Sequence, residues 1–344
     1  MTVTVKTLAK AAGVSRGTVD RVLHNRGSVK KELALKIKTL AKELGYVPNR
    51  AGRALSGIRE HYKIGIMLPS IGNAFFDGVI EGIEKACLEY EELGVEVILD
   101  KIQGYDEATH LKSIDELKKK GCSALCLATI DTPSVAEKIK ECELLGIKII
   151  LVNSDVSNSN RICYVGSDYI KAGKTCAGLL SLISKFEKLK ILVVTGSAFM
   201  KGHRQRIEGF ENELQNLNVN FEICAQIESN DSDIKAQIET TKYLTAHKDI
   251  NCVYVTGAGV QGVGAAIIAT GRDDIVGIAF DDIYTTVEMV RDGIFKFVIC
   301  QQPDRQGYHA VKRAYQILSG TVNEQAMTDF YTDTIIKIAS NIGK

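Results

Sequence analysis

The feature that most constrains the fold is a regular alternation of short apolar runs with amphipathic helical segments, which begins at Tyr62 and continues almost to the C-terminus. The strand-like runs fall at 63–68, 95–99, 124–128 and 148–152, near 162, and at 191–195, 221–227, 252–256, 275–280 and 295–300. Helical patterns fill most of the gaps. Such alternation is typical of parallel sheets covered by helices on both faces. It predicts a doubly wound α/β body over 61–344.

The strand-like runs form two series, which predict two α/β subdomains. A segment of loop composition at 154–161 (Ser-Asp-Val-Ser-Asn-Ser-Asn-Arg) follows the first series, and the second series begins near Ile162. We expect one subdomain to contain 61–165 with 298–326, and the other to contain 166–297 with 327–344.

The residues that follow each strand are candidate ligand-binding residues, because ligands of open α/β sheets bind at the carboxyl ends of the strands. They lie at 69–77, 153–154, 196–197, 204–206, 257–259, 281–282 and 301–303. Aromatic faces stack on C–H surfaces, while carboxylates, amides and a bidentate guanidinium bind hydroxyl groups. These residue types predict a small polyhydroxylated ligand, although a single Phe in such a segment is equally compatible with the core.

The first 60 residues differ from the rest of the chain in charge. They hold 13 Lys and Arg against 4 Asp and Glu, a net charge of +9, whereas the remainder carries −8. A basic segment on an acidic body indicates that the segment meets a polyanion and the body does not.

Three short amphipathic helices are predicted in this basic segment. The first runs from Val5 to Ala12 with Thr4 as candidate N-cap, the second follows Ser15, and the third has apolar residues at helical spacing between 33 and 44. The tight turn at Gly13 predicts a helix-turn-helix unit, whose second helix enters the major groove of DNA.

The exposed side of the second helix supplies the candidate DNA contacts, which are Arg16, Gly17, Thr18, Asp20, Arg21 and His24. Arg16 and Arg21 are candidates for reading bases, because a guanidinium binds guanine bidentately. Pro48 then ends the helical region, and Asn49 to Ser56 is too short for a stable isolated helix. Leu55 lies among arginines in that segment and fits a wedge between base steps of a minor groove.

The segments 3–15, 18–23 and 43–49 resemble the DNA-binding headpiece and hinge of the LacI/GalR family of transcription regulators, over about residues 3–57. The resemblance implies a headpiece at 1–47, a hinge at 48–60 that becomes helical on operator DNA, and a homodimer. It implies DNA contacts by Thr4, Ser15, Arg16, Gly17, Thr18, Arg21, His24, Asn25, Asn49, Arg50, Arg53 and Leu55. Asp20 stands where many members have Ser, so the operator sequence does not carry over.

The body resembles the ribose-type periplasmic sugar-binding fold over roughly 62–338, through the segments 73–76, 166–168, 204–210, 279–281 and 301–304. The resemblance implies that a sugar or polyol, free or phosphorylated, is held by Asn73, Phe75, Phe76, Asn153, Arg206, Asp281 and Gln301. Gly257 and Ala258 stand where those proteins often have Asn-Asp. The loss of that amide implies a ligand other than ribose.

One rival motif indicates an enzyme. Residues 257–262 match G-x-G-x-x-G after a strand, and Asp281 follows Gly257 by 24 residues, near the spacing of a ribose-binding acid in NAD(P)-dependent enzymes. The motif lies late in the series of strand-helix repeats, and a strand-to-helix turn also uses glycine for its tight backbone. A second alternative is a sugar-binding protein without a regulatory role, which the headpiece disfavours.

Other residue patterns exclude further classes. The nine cysteines, from Cys87 to Cys300, form no C-x-x-C pair, and the six histidines show no metal-ligand spacing, so we expect reduced core thiols and no metal or cofactor. No apolar run approaches the ~20 residues of a membrane span, and no signal-peptide pattern follows Met1. Together with the two resemblances, these patterns predict a cytoplasmic, non-enzymatic repressor that binds operator DNA and a small effector.

Overall fold

The computed structural model describes residues 3–23, 29–44 and 61–343. The chain divides into two compact units, of which one contains the N-terminal helices and the other contains both β-sheets.

The N-terminal unit contains the three predicted helices, α1 Val5–Ala12, α2 Arg16–Leu23 and α3 Lys31–Glu43. A capping box between Thr4 and Thr7 begins α1, and Gly13, with a left-handed φ of 71°, ends it. The core of this unit includes Leu8, Val19 and Ile37, which are fully buried. The predicted hinge at 48–60 lies outside the described residues.

The second unit alternates strands with helices, as predicted. Its strands are β1 Tyr62–Ile71, β2 Val95–Gln103, β3 Ala124–Leu127, β4 Lys148–Val152, β5 Cys163–Gly166, β6 Leu189–Thr195, β7 Phe221–Glu228, β8 Cys252–Val255, β9 Val276–Phe280, β10 Phe295–Cys300, β11 Phe330–Tyr331 and β12 Ile335–Lys337. Its helices are α4 Phe75–Tyr90, α5 Glu107–Lys119, α6 Pro133–Leu144, α7 Tyr169–Ile183, α8 Lys201–Asn216, α9 Asp233–Ala246, α10 Val260–Ala269, α11 Tyr284–Arg291 and α12 Pro303–Leu318.

The strands form two 6-stranded sheets, with orders β11-β5-β4-β3-β1-β2 and β12-β10-β9-β8-β6-β7. All neighbours are parallel except β10 and β12, which are antiparallel. Central strands such as β3 and β8 are buried at every position. This burial explains their continuous apolar runs, because helices cover both faces of a doubly wound sheet.

The structure corrects the predicted boundaries of the two subdomains, here called the first and second lobe after their sheets. The strand near Ile162, which is β5, pairs with β4 in the first sheet and does not open the second. Residues 298–300 belong to β10 in the second sheet, and β11, within 327–344, pairs with β5 in the first. The chain therefore crosses between lobes three times, and strand periodicity cannot show to which sheet a strand belongs.

Helix α12 follows the second crossing and packs on α4 of the first lobe. The two backbones approach so closely that a Cβ added at Gly82 would lie 1.9 Å from the carbonyl oxygen of Asp304. Only glycine fits such an approach without moving a helix. The contact completes the first lobe with a segment that is distant in sequence.

The cysteines behave as predicted. All nine are free thiols, and seven of them are buried. Burial raises the pKa of the Cys176 thiol to about 12, so it packs as an uncharged apolar group.

Candidate ligand-binding cleft and nucleic-acid interface

Five residues of the predicted DNA interface lie on α2. Arg16, Gly17, Asp20 and Arg21 are exposed and Thr18 is half-buried. Arg21 donates a hydrogen bond from Nε to the carbonyl oxygen of Gly17 at 3.1 Å. This bond holds the Nε end of the guanidinium against the helix backbone. An exposed arginine on the second helix of such a unit is placed to reach base edges.

Thr4 and Ser15, also predicted to contact DNA, cap helices. The Thr4 hydroxyl accepts from the N–H of Thr7 at 3.3 Å, and the Ser15 hydroxyl accepts from the N–H of Thr18 at 3.2 Å. Both caps are exposed, and the N-terminus of a helix favours an anion such as a phosphate group. The other predicted contacts lie outside the described residues; they are His24, Asn25, Asn49, Arg50, Arg53 and Leu55.

A cavity of about 50 Å³ lies between the two lobes, at the carboxyl ends of their strands. The structure brings all seven residues of the predicted ligand set to its wall, namely Asn73, Phe75, Phe76, Asn153, Arg206, Asp281 and Gln301. The carboxyl ends of parallel strands lie at one edge of their sheet. Because the cavity lies between these edges of the two sheets, residues from both sheets line it.

Arg206 lies at the base of this cleft and is only 3% exposed. Its guanidinium lies over the Phe280 ring at 3.7 Å and near the Tyr169 ring at 4.8 Å from the centroids. Nη1 donates to the carbonyl oxygen of Thr256 at 2.6 Å, whereas Nε and Nη2 are buried without a partner. The stacking fixes the guanidinium and leaves two donor atoms available to a ligand.

Asp281 and Gln301 form a hydrogen-bonded pair on the wall of the cleft. Gln301 donates from Nε2 to Asp281 Oδ2 at 2.7 Å, while Asp281 Oδ1 and Gln301 Oε1 are buried without a partner. Burial raises the pKa of the Asp281 carboxyl to about 6, against the opposing positive charge of Arg206. A carboxylate held in so dry a place is a strong acceptor for a ligand hydroxyl.

Asn73 positions other groups of the cleft through both ends of its side chain. Oδ1 accepts from the backbone N–H of Phe75 at 3.1 Å, and Nδ2 donates to Asp231 Oδ2 at 2.8 Å. It thereby fixes the start of α4, where Phe75 and Phe76 pack edge to face with ring centroids 5.3 Å apart. Asn73 therefore links the two lobes, and only its second amide hydrogen is available for a ligand.

Asn153 has a similar positioning role. Its Nδ2 donates to Gln306 Oε1 at 3.2 Å, and its carbonyl oxygen accepts from the Tyr169 hydroxyl at 2.5 Å. Because Tyr169 belongs to the second lobe, this bond also joins the lobes. Asn153 adopts a left-handed φ of 62°, a conformation that asparagine tolerates better than most residues.

Several lining residues were not predicted, among them Tyr105, Tyr169, His203 and Asp231. Tyr105 follows β2 and Asp231 follows β7, so both lie just past the carboxyl ends of strands, the same signal that marks the predicted residues. Burial lowers the pKa of His203 to about 4, against the opposing charge of Asp231, so this histidine is neutral near pH 7.

The glycines of the rival motif are explained by close packing. A Cβ at Gly257 would lie 2.6 Å from the backbone nitrogen of Gly196, and one at Gly262 would lie 1.9 Å from the carbonyl oxygen of Asp233. Gly259 has a φ of 96° at the start of α10. Close packing against neighbouring backbone explains Gly257 and Gly262, and the left-handed φ explains Gly259. No bound pyrophosphate is required to explain these glycines.

Within residues 3–23, 29–44 and 61–343, no group of three or more His, Cys, Asp or Glu side chains could hold a metal ion. Over the same ranges, no helix is both long enough and apolar enough to cross a membrane.

A helix-turn-helix headpiece on a two-lobed body with a polar interlobe cleft defines a ligand-responsive DNA-binding regulator. Comparison with family models agrees. Residues 64–321 match the model for the periplasmic binding protein domain, and residues 4–49 match that for bacterial regulatory proteins of the lacI family. The chain belongs to the periplasmic binding protein domain family and carries a lacI-type headpiece. It is a ligand-responsive transcription regulator, and the matched families are those of regulators and binding proteins.

Individual relatives cover most of the chain at low identity. The ribose import binding protein RbsB of Escherichia coli (strain K12) is 24% identical over 258 residues, 75% of this chain and 85% of that protein. The ribose operon repressor of the same strain is 23% identical over 287 residues, 81% of this chain and 83% of that protein. The crystal structure of GanP, a glucose-galactose binding protein from Geobacillus stearothermophilus, matches with a TM-score of 0.75 and 22% identity, over 83% of this chain and 100% of GanP. This last match shows the fold of the body.

Proposed function

We propose that the protein is a cytoplasmic, homodimeric, non-enzymatic transcription repressor, whose affinity for operator DNA is set by a small sugar or polyol bound between its lobes. The ligand-binding residues are the seven predicted ones together with Tyr105, His203 and Asp231. The names of two relatives, a ribose import binding protein and a ribose operon repressor, support a carbohydrate ligand. The name of the ribose operon repressor also supports repression.

The observation that carries the proposal is a set of buried polar atoms without partners in the cleft. They are Arg206 Nε and Nη2, Asp281 Oδ1, Gln301 Oε1 and Ser154 Oγ. Buried polar groups in proteins are nearly always hydrogen-bonded. The set mixes donors with acceptors, which is the complement of a ligand whose hydroxyl groups both donate and accept.

Contacts between the lobes supply the link from the ligand to DNA binding. Arg204 pairs with Asp131, the N–H of Asp131 donates to the carbonyl oxygen of Phe199 at 2.8 Å, and Lys201 Nζ lies 3.4 Å from Asp155 Oδ2. A ligand that bonds to Arg206, Asp281 and Gln301 from both sides adds to these contacts. It shifts the population toward the closed lobes by its differential affinity for that state.

The test combines ligand screening with DNA binding. A thermal-shift screen of the full-length protein with sugars and polyols should find a stabilising ligand, since a ligand at 100 times its Kd adds about 2.7 kcal/mol. That ligand should change the affinity for an operator selected from random duplexes. Arg206→Met keeps the packing over Phe280 and should abolish the response while leaving operator binding intact.

Two results would overturn the proposal. One is a screen in which no carbohydrate raises the melting temperature. The other is a carbohydrate that binds in the cleft and leaves operator affinity unchanged. Turnover of NAD(P)H with any ligand would instead support the enzyme alternative.

A further inference from the structure

Asp231 reaches across the cleft from a loop that the sequence did not single out. It lies between β7 and α9 in the second lobe, and its Oδ2 accepts hydrogen bonds from the Tyr105 hydroxyl and from Asn73 Nδ2, both in the first lobe. Oδ1 accepts from the backbone N–H of Ala258 at 3.0 Å. One carboxylate thus holds three donors from three separate loops, an arrangement that we call the Asp231 clasp.

The neighbouring backbone is adapted to this carboxylate. A Cβ at Gly196 would lie 2.2 Å from Asp231 Oδ1, and one at Gly257 would lie 3.1 Å from it. Glycines at the ends of β6 and β8 therefore leave the space that Asp231 fills. Asn230 and Asp231 both have left-handed φ values, 52° and 58°, and such strain persists only where the surroundings impose it.

The clasp gives the cleft an excess of negative charge. Asp231 and Asp281 line the described cavity together with Arg206, which is the one cationic side chain among its lining residues, and His203 is neutral because burial lowers its pKa to about 4. No salt bridge within the described residues neutralises either carboxylate. A ligand that carries its own anion would meet two carboxylates and one guanidinium in a place of low dielectric.

A larger cavity outside the Asp231 clasp is also lined, among the described residues, by carboxylates and not by cations. A cavity of about 480 Å³ shares Asn73, Tyr105 and Asp231 with the inner one and continues along Gln103 and Asp233. Among the described residues that line it, none is Lys or Arg. A phosphate that projected outward from the inner cavity would find no cation there and would lie beside Asp231 and Asp233.

We propose that Asp231 is a specificity-determining residue of the cleft, which favours an effector that presents a hydroxyl or ammonium donor to the β7–α9 loop and rejects phosphorylated and acidic sugars. Asp231 Oδ1 binds that donor beside the N–H of Ala258. The carboxylate takes the place of the amide that is missing at 257–258. This inference rests on the proposed function and narrows its ligand class.

The experiment measures binding of matched carbohydrate sets by calorimetry. Each set contains a parent with its charged derivatives: glucose with glucosamine, glucose 6-phosphate and glucuronate; ribose with ribose 5-phosphate; and myo-inositol with its monophosphate. In every set that binds, the neutral or amino member should bind at least tenfold more tightly than the anionic members. Asp231→Asn should reduce this discrimination at least tenfold.

Two further variants separate charge from lobe closure. Tyr105→Phe removes one donor of the clasp but keeps the carboxylate, so it should weaken binding of the neutral ligand and preserve the discrimination. Arg204→Ala removes the ion pair with Asp131, which joins the lobes outside the cavity. It should change all affinities in parallel.

The outcomes distinguish this inference from the proposed function. Binding of none of the carbohydrates would refute both. Binding of a carbohydrate without rejection of its phosphate or acid, or full discrimination retained in folded Asp231→Asn, would refute the role of Asp231 alone. Loss of discrimination in Tyr105→Phe would show that the clasp acts through closure and not through charge. If Asp231→Asn does not fold, the wild-type comparison and Tyr105→Phe still decide.

Discussion

Replacing Asp281 by Asn should stabilise the ligand-free protein at neutral pH. Burial raises the pKa of this carboxyl from its ordinary 3.8 to about 6. The folded state therefore binds the proton more tightly than the unfolded state, and ionisation destabilises the fold as pH rises. The difference of about 2 units corresponds to about 3 kcal/mol, since each unit is 1.36 kcal/mol. This cost is absent below pH 3.8 and complete above pH 6.

Asp281→Asn removes the ionisation and keeps an oxygen that can accept from Gln301 Nε2. We expect the free energy of unfolding to rise by up to ~3 kcal/mol at pH 7.5 and to change little at pH 4. Because the chain has no tryptophan, urea denaturation is best followed by far-ultraviolet circular dichroism. In the same variant, affinity for the carbohydrate effector should fall, because a charged acceptor is lost.

The adjacent residue supplies a control of opposite sign. Although burial acts to raise the pKa of Asp282, the hydrogen bond and charge of Lys337 hold it below its ordinary value. This carboxylate contributes stability above the unfolded pKa and loses it as pH falls, so Asp282→Asn should lower the free energy of unfolding at pH 7.5. An Asp281→Asn protein no more stable than wild type at pH 7.5, with a normal effector affinity, would refute the reasoning about burial and ligand contact.

Three further predictions concern DNA binding and packing. Arg21→Ala should relax base preference at one position per half-site, at a cost of about 1–3 kcal/mol, and an operator selection that returns the wild-type preference would contradict it. Leu55→Ser should weaken specific binding and reduce DNA bending in a circular-permutation assay, yet leave non-specific affinity nearly unchanged, because the basic headpiece still attracts phosphate. Gly82→Ala should lower the melting temperature by forcing α4 from α12, whereas Gly178→Ala in α7, whose Cβ would meet nothing within 4 Å, should be neutral or stabilising by up to about 1 kcal/mol.

Local sequence patterns are enough to predict the strands and helices of this fold, but they do not predict which strands pair with one another. The runs that became β3 and β8 were recognisable because each is a continuous apolar segment between helical patterns. The two residues of β11 carry no such signal, and only their pairing with Cys163–Gly166 places them in the first sheet. Pairing over so long a separation depends on tertiary context, which periodicity does not encode.

In the candidate cleft too, some residues are predicted by local patterns, whereas others are recognised only from tertiary contacts. The predicted ligand set came from strand ends and from the family resemblance, and the structure brings that set together at one cavity. Asp231 follows a half-exposed edge strand, where polar residues are common and do not by themselves indicate a binding site. Its significance depends on two distant glycines and two side chains of the other lobe, and a single sequence does not show that these meet.

The three crossings between the lobes have a consequence for the order in which the chain folds during synthesis. The second lobe is nearly continuous from Tyr169 to Cys300, so most of its sheet can form as soon as that stretch has left the ribosome. The first lobe has its central strands early but lacks α12 and β11 until the last part of the chain appears. Until then β5 has an unpaired edge, and α4 has an uncovered surface where Asp304 will pack. The lobe whose central strands are made first is therefore completed only after most of the other lobe has been made, and shortening the C-terminus should unfold residues that were translated roughly 200 positions earlier.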